Sequence, residues 1–205
     1  MADEAPPAGA LRLESLSVGP LGPIDLRVEP GEIVALSGAS GSGKSRLLRA
    51  IADLDAHGGV AALGDTAQDA LPAHRWRRAV MLLPAESLWW ADTVGEHFPD
   101  GRVPEPAALG LDAGVAGWEV ARLSSGEKQR LALLRVLARR PRCLLLDEPS
   151  ANLDEAATQR VETLVGDYVR DASVPALWVS HDPAQIARVA SRHLRIGGSG
   201  LEVAG

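Results

Sequence analysis

EIVALSGASGSGKSRLLRAIADL, residues 32–54, is the stretch that decides the fold class of this chain. It begins with a short apolar run, turns through glycines, and continues from Lys44 with apolar residues at helical spacing. That order predicts a buried strand over 32–38, a Gly-rich loop, and then a helix over 44–54. Within the stretch, GASGSGKS at 38–45 matches the pattern G-x-x-x-x-G-K-[ST] in the strand–loop–helix context where this pattern binds phosphates.

The loop residues have the properties that a phosphate site needs. Glycines let the loop curl so that backbone N–H groups point inward, and the following helix N-terminus adds positive potential. We expect Lys44 to reach the β- and γ-phosphates and the Ser45 hydroxyl to bind Mg²⁺. The alternative is a Gly/Ser turn with a chance lysine, which the flanking strand and helix argue against. The predicted phosphate-binding residues are Gly38, Ala39, Ser40, Gly41, Ser42, Gly43, Lys44 and Ser45.

The rest of the chain alternates predicted strands with predicted helices, which indicates an α/β fold with a mainly parallel sheet. Residues 85–122 are irregular and rich in Pro, Gly and Trp, so they predict a small inserted subdomain or a long loop. Further strands are predicted over 11–17, 24–28, 78–84, 142–148, 175–181 and 193–196, and further helices over 124–138, over 154–171 and from Pro183.

Two acids end the apolar run CLLLDEP at 143–149. Burying adjacent charges there is costly unless a cation compensates them, and Mg²⁺ would do so. We expect Asp147 to bind the metal and Glu148 to deprotonate an attacking water. The run WVSH repeats the design, since its strand ends at His181, which can contact a γ-phosphate. The alternatives are two solvated acids that begin a loop and a structural histidine.

The segment LSSGEKQR at 123–130 predicts a capped helix. Ser124 and Glu127 have the spacing of a capping box. Gly126 fits a plain capped helix badly, because Gly weakens a first turn. A glycine there makes sense if another group must approach the backbone closely.

Composition, net charge and cysteine count limit the classes of function that this chain can have. The 205 residues are 46% hydrophobic and 23% charged, as expected for one globular domain with a real core. A net charge of −6 argues against a nucleic-acid surface, and one cysteine excludes an intramolecular disulfide. Residues 1–10 resemble no signal peptide and predict a disordered tail, and no stretch is long enough for a transmembrane helix.

Taken in this order, the phosphate loop, LSSGEKQR, LLLDEP, SANLD and VSH resemble the ATP-binding cassette (ABC) ATPases over about residues 11–196. The resemblance implies a P-loop NTPase with a mainly parallel central sheet, N-terminal antiparallel strands and a small inserted helical subdomain. It implies one such domain over 11–205, with a signature-bearing subdomain at about 86–135. Within the family, the chain looks most similar to the ATPase subunits of bacterial iron exporters.

The resemblance also implies partners and residue roles. ATP with Mg²⁺ is the expected ligand, and Glu148, His181 and Lys44 are the expected catalytic residues. Two copies are expected to pack head to tail, so that Ser124, Ser125 and Gly126 approach the nucleotide held by the other copy. The segment 152–154 is expected to cross that interface. A polytopic membrane permease is the expected second partner, which would hold the chain at the inner face of the plasma membrane.

Three positions depart from the family pattern. Ala85 stands where a Mg²⁺-contacting Gln is usual, and our hypothesis is that the neighbouring Glu86 supplies this contact. Arg46 follows Ser45 where a second Thr or Ser is usual. The segment SVGPLGP at 17–23 lacks the aromatic ring that normally stacks on adenine, so we expect weak discrimination between ATP and GTP.

Two further questions stay open in the sequence. Trp89 and Trp90 could form a groove for the permease or fill the core of the subdomain. A transport motor competes with an ABC ATPase that acts on DNA, ribosomes or cofactor assembly, and with a non-catalytic nucleotide-gated protein. The missing coiled-coil insertion, tandem cassette and basic patch argue against the second class. The intact set Lys44, Asp147, Glu148 and His181 argues against the third.

Overall fold

Two β-sheets and five α-helices build the structure, a computed structural model that describes residues 9–198 and 200–204. The helices are α1 (Lys44–Ile51), α2 (Ala73–Ala79), α3 (Ser125–Leu137), α4 (Glu155–Asp171) and α5 (Pro183–Val189). The strands are β1 (Leu11–Val18), β2 (Leu21–Val28), β3 (Ile33–Gly38), β4 (Gly58–Leu63), β5 (Thr66–Ala67), β6 (Val80–Leu83), β7 (Cys143–Asp147), β8 (Ala176–Val179), β9 (Arg192–Gly197) and β10 (Gly200–Val203).

The larger sheet has the strand order β10-β9-β3-β8-β7-β6, and every adjacent pair is parallel except β10 with β9. The prediction of a mainly parallel central sheet is therefore confirmed. Both faces are covered, which is why β7 is a continuous apolar run and buried throughout. Cys143 and Leu145 of that strand pack into one hydrophobic cluster, and Leu144 and Leu146 pack into the other.

The smaller sheet, with the order β2-β1-β4-β5, is antiparallel and confirms the expected N-terminal antiparallel strands. Its buried residues share one cluster with α1, β3 and β7, so α1 is fixed against both sheets. Neither β4 nor β5 was among the predicted strands. The sequence of β4, GGVAAL, begins with two glycines and does not alternate, and its pairing partner β1 lies some 45 residues earlier in the chain, so the local pattern gives little sign of it.

Between β6 and α3 the chain is irregular, as predicted. The segment 84–124 contains short 3₁₀ turns of three or four residues, and α3, which begins directly after it at Ser125, supplies the α-helix of the expected subdomain. Prolines and glycines in the segment interrupt longer helices. Val94, Leu109 and Val115 are fully buried and fix the segment to α3 and α4 through the second cluster.

Several predicted boundaries shift. The strand expected over 78–84 begins at Val80, because Arg78 and Ala79 complete α2. The strand expected to begin at residue 24 begins at Leu21. Of the predicted tail, residues 1–8 lie outside the described residues. Ala10 is buried and its carbonyl accepts a hydrogen bond from the Gly64 N–H at 3.0 Å, so the fold already includes it. No helix in the described part of the chain is long and apolar enough to cross a membrane.

Candidate nucleotide-binding site

The predicted phosphate loop lies between β3 and α1 and curls around its own backbone. Gly38, Gly41 and Gly43 have φ values of 150°, 77° and 99°, in the region that favours glycine. A Cβ on Gly38 would lie 2.9 Å from both Ser42 Oγ and the Ile196 carbonyl oxygen, so a larger residue does not fit there. Gly43 caps α1 without a side-chain hydrogen bond, which leaves the first N–H groups of the helix available to an anion.

Lys44 is held over this loop by the loop itself. Its ammonium nitrogen donates to the carbonyl oxygens of Gly38 at 2.9 Å and Ala39 at 3.0 Å, and the residue is only 7% exposed. Ser42 Oγ is buried and has no hydrogen-bond partner in the part of the chain that the structure describes. A buried hydroxyl is normally paired, so this oxygen, the cation and the free helix N-terminus together fit a phosphate group.

Glu148 and His181 lie together at the edge of the sheet that is formed by the carboxyl ends of its parallel strands. Backbone N–H of Glu148 donates to the Val179 carbonyl at 3.2 Å, and Glu148 itself has φ 50°. This bend after β7 places Glu148 Oε1 3.1 Å from His181 Nε2. Both side chains are partly exposed, at 38% and 50%, so water reaches them.

The register of three neighbouring strands puts these groups at one edge. Val179 of β8 pairs with Leu36 of β3 on one side and with Asp147 of β7 on the other. The loop that follows β3, the acids that end β7 and the histidine that follows β8 therefore leave the sheet side by side. Ligands of open parallel sheets bind at this carboxyl edge.

Mg²⁺ fits the donor set at this edge. Asp147 is 7% exposed, and Ser45 is an exposed hydroxyl at the start of α1. The described residues contain no group of three His, Cys, Asp or Glu side chains that could hold a metal alone. Mg²⁺ that binds together with phosphates uses only one or two protein ligands, so Ser45 and Asp147 suffice in number.

The signature helix α3 has the capping box that its sequence predicted. The Glu127 N–H donates to Ser124 Oγ at 3.2 Å, and Glu127 Oε2 accepts from the Ser124 N–H at 2.8 Å and from its hydroxyl at 2.7 Å. These hydrogen bonds from Ser124 lower the pKa of Glu127 below its ordinary value. Ser124 and Ser125 are exposed, so their outer surfaces are available to another molecule.

Gly126 has a neighbour within the chain. A Cβ there would lie 3.2 Å from Leu153 Cδ2 and 3.5 Å from the Asn152 carbonyl oxygen. The close approach expected at this glycine is therefore made by the chain's own loop 152–154. The signature and this loop form one surface, with Asp154 capping α4 through a 2.7 Å bond from the Ala157 N–H.

The structure does not place the signature at the phosphate loop of the same chain. A cavity of about 260 Å³ lies beside the loop, lined by Val18, Pro20, Leu21 and residues 41–46. None of its described lining residues belongs to the segment 124–126. The signature thus lies apart from the phosphate loop. The loop 152–154 reaches both regions, because Leu153 lies beside Gly126 and lines one cavity with Glu148 and His181.

Sequence reasoning missed Gln185, which is 3% exposed at the start of α5. Its amide nitrogen donates to Ser150 Oγ at 2.8 Å and to Glu162 Oε1 at 3.0 Å, and its oxygen accepts from Trp178 Nε1 at 3.3 Å. The residue ties the loop after Glu148 to α4 and β8. Its only sequence signal is a polar residue four positions after His181, which is too weak to use.

Trp89 and Trp90 differ in burial, and the predicted contact with a permease stays a prediction. Trp89 is half-buried against the second cluster, whereas Trp90 is 70% exposed and Leu88 is 83% exposed. His97 is 2% exposed, and its Nε2 accepts hydrogen bonds from the backbone N–H groups of Trp90 at 2.9 Å and Ala91 at 3.2 Å.

Arg135 of α3 also contacts this pair. Its guanidinium carbon lies 4.7 Å from the ring centre of Trp89 and 5.0 Å from that of Trp90. The guanidinium also donates to the Leu88 carbonyl at 3.1 Å. Leu88, Trp90 and Arg135 form an apolar surface with one cation, named here the tryptophan surface.

Comparisons with known proteins agree with this geometry. A family model described as "ABC transporter" matches residues 21–151. The aliphatic sulfonates import ATP-binding protein SsuB 3 of Nocardia farcinica is 40% identical over 174 residues, which cover 83% of this chain and 68% of that protein. The Fe(3+) ions import ATP-binding protein FbpC of Streptomyces avermitilis is 36% identical over 183 residues, which cover 82% of this chain and 53% of that protein.

A solved structure, that of a bacterial Atm1-family ABC exporter with ATP bound, matches 95% of this chain and 38% of its own chain with a TM-score of 0.80. At 23% identity this likeness shows the fold alone. The chain spans 53% to 68% of the length of the two curated relatives. With the family model covering more than half of its residues, the chain belongs to the ABC transporter family as an ATP-binding domain.

Proposed function

We propose that this chain binds and hydrolyses ATP as the motor subunit of an ABC transporter. The main support for the proposal is the contact between Glu148 and His181 at the edge of the sheet where the Lys44 loop also begins. Domains of this family bind ATP with Mg²⁺. Mg²⁺, when bound by Ser45 and Asp147, neutralises charge on the phosphate oxygens.

Each residue has a separate part in the proposed hydrolysis. Lys44, freed from its two carbonyl partners, binds the β- and γ-phosphates. Glu148 accepts the proton of a water whose oxygen attacks the γ-phosphorus, and the bond to the bridging oxygen breaks to leave ADP and inorganic phosphate. His181, 3.1 Å from Glu148, orients this carboxylate and contacts the γ-phosphate.

The complete site includes a second copy of the chain. In the proposed head-to-tail pair, Ser124, Ser125 and Gly126 of one copy approach the phosphates held by the Lys44 loop of the other. Two observations support this arrangement: Ser124 and Ser125 are exposed, and residues 124–126 are not among the described residues that line the loop cavity of their own chain. Contact of Gly126 with Leu153 gives each copy one continuous surface for the interface.

The second proposed partner is a polytopic membrane permease that docks on the tryptophan surface. Exposed Leu88 and Trp90 are side chains typical of binding hot spots, and Arg135 beside them adds a cation for a carboxylate or a helix C-terminus. His97 fixes the backbone under Trp90, so the surface is held in one conformation before binding. The partner would hold the chain at the inner face of the plasma membrane.

We propose a single domain from residue 11 onward, with the tryptophan surface and signature in the subdomain at 86–135.

The solute and the direction of transport are a finer question. Iron export, predicted from resemblance, stays a prediction, because both relatives named above carry the names of import proteins, one for aliphatic sulfonates and one for Fe(3+) ions. A permease subunit selects the solute, so the residues of this chain do not distinguish these solutes.

Co-purification tests the proposal. The chain would be tagged in its own host as Glu148→Gln, which keeps ATP bound, and membranes would be separated from cytosol. We expect a polytopic membrane protein to co-purify with the variant, and the double variant Glu148→Gln, Trp90→Ala to lose it. Recovery of a pair of copies in the cytosol without any membrane protein would contradict the transport proposal and favour an ABC ATPase with another task.

A further inference from the structure

The cavity of about 260 Å³ beside the phosphate loop offers room for the rest of a nucleotide whose phosphates lie in that loop. Its apolar wall consists of Val18, Pro20 and Leu21, from the turn between β1 and β2, and its other wall is the loop itself. Segment 17–23 contains no aromatic ring on which a base could stack. The wall formed by residues 41–46 ends at Arg46, which has the only planar side chain among the lining residues.

Arg46 is placed at this cavity by α1 and by a glycine opposite. The residue is exposed in the first turn of α1. A Cβ added to Gly19 would lie 2.5 Å from Arg46 Nη1, so the guanidinium rests against the β1–β2 turn beside Gly19. The side chain therefore bridges from the phosphate loop to the turn and forms one side of the cavity.

No carboxylate among the described residues forms an ion pair with Arg46. The positive charge of Arg46 acts on Asp55 at longer range, but Asp55 forms its ion pair with Arg49, at 2.9 Å. A guanidinium without a fixed partner is planar and weakly hydrated, and it stacks well on flat π-systems. Nucleobases are such systems, and arginine planes are used in this way elsewhere.

We propose that Arg46 is the base-contacting residue of this site and that its guanidinium stacks on the base of the bound nucleotide. The inference rests on the proposed function, since it needs a nucleotide whose phosphates lie in the Lys44 loop. Every base has a π-face, so this contact tolerates adenine and guanine alike. ATP and GTP should then bind within about tenfold of each other, with both depending on Arg46.

Binding measurements without catalysis test the inference. The full chain with the additional substitution Glu148→Gln would be titrated with Mg²⁺ and ATP, GTP or ribose 5-triphosphate, which has the same sugar and phosphates without a base. The variants are Arg46→Ala, Arg46→Lys, which keeps the charge without the plane, and Arg49→Ala, a matched control on the same helix. Both positions are exposed in α1, so folding should be retained in all three variants, and far-ultraviolet circular dichroism checks it.

We expect Arg46→Ala to weaken ATP and GTP binding by about tenfold and to leave ribose 5-triphosphate unchanged. Arg46→Lys should lose most of the same base-dependent affinity, and Arg49→Ala none. Equal weakening of all three ligands would mean that Arg46 acts on phosphate or sugar and would overturn the inference. No change with any ligand would overturn it as well. A parent chain that binds none of the three ligands contradicts the proposed function, and the inference with it.

Discussion

Lys44 shows how one residue prepares the site before a nucleotide arrives. Its ammonium has no carboxylate partner among the described residues and donates to two carbonyls of its own loop, at 2.9 and 3.0 Å. A phosphate offers a stronger, charge-assisted partner than a carbonyl, so exchange of partners favours binding. The loop is thus held closed by bonds that a nucleotide can replace.

At the same scale, Ser124 and Ser125 separate the two roles of the signature. Ser124 Oγ caps α3, whereas no hydrogen bond of the Ser125 hydroxyl is found among the described residues. Ser124→Ala should lower the free energy of unfolding by about 1 kcal/mol, because an N-cap is lost. Ser125→Ala should change it by less than about 0.5 kcal/mol and still slow ATP hydrolysis.

Urea unfolding and ATPase assays on both variants check this separation. An equal loss of stability in both variants, or full activity of Ser125→Ala, would show that the signature serves only as a helix start.

Glu86 is the residue that we expect to replace the glutamine that is usual at position 85. It is exposed and follows β6, whose neighbour in the sheet is β7 with Asp147. If Glu86 supplies a Mg²⁺ contact, Glu86→Ala should raise the Mg²⁺ concentration for half-maximal hydrolysis by about tenfold, the loss of one charge-assisted contact. Glu119→Ala, at an exposed acid of the same segment, is the control. An unchanged Mg²⁺ dependence in Glu86→Ala would sink the hypothesis.

At the scale of elements, α4 and α5 are joined by an ion pair that gives a pH dependence. Arg188 and Gln185 hydrogen bond to Glu162, whose side chain is 10% exposed, and these contacts lower its pKa below the ordinary 4.5. As the pH falls, the Glu162 carboxylate is protonated at a higher pH in the unfolded chain than in the folded chain. The stabilisation that these contacts give to the folded chain is therefore fully present above pH 4.5. It is lost as pH falls through the lower folded value.

Glu162→Gln should therefore cost about 1 kcal/mol of unfolding free energy at pH 7, with the difference from the parent chain shrinking below pH 4.5. Denaturant unfolding across pH 3 to 7 measures this, with Glu119→Gln as a control because its pair with Arg122 is largely exposed. A difference that stays constant across this range contradicts the assignment.

Elements also show what the sequence predicts and what it does not. The phosphate loop, the strand before Asp147 and the cap at Ser124 depend on neighbours in sequence, so their patterns predicted them. The pairing of β4 with β1 depends on distant residues, as do the contact of Gly126 with Leu153 and the hydrogen bonds of Gln185. Local periodicity contains no information about such contacts.

For Trp89 and Trp90, the sequence left core packing and permease contact open, and the structure gives their burial: Trp89 is half-buried and Trp90 is exposed. Whether an aromatic ring is buried depends on what packs over it, here His97 and Arg135, whose position no short pattern gives.

At the scale of the whole molecule, the site residues lie in two regions of one chain, which meet at Leu153. The Lys44 loop with Glu148 and His181 makes one, and Ser124 to Gly126 with the loop 152–154 makes the other. In a head-to-tail pair, the Lys44 loop of each copy would face the signature of the other copy, so the pair would contain two complete sites. Closure around ATP and reopening after hydrolysis would then move a permease attached at the tryptophan surface.

Mixing two defective variants tests this shared site most directly. Both carry Glu148→Gln; one adds Lys44→Ala, which removes the phosphate cation, and the other adds Ser125→Glu, a helix-compatible charge that repels the partner's nucleotide. Light scattering with Mg²⁺ and ATP should find each variant alone as single chains. The mixture should form a species of twice that mass, because one intact site remains between the two variants. A mixture that stays as single chains, or either variant pairing alone with ATP, would contradict the shared site.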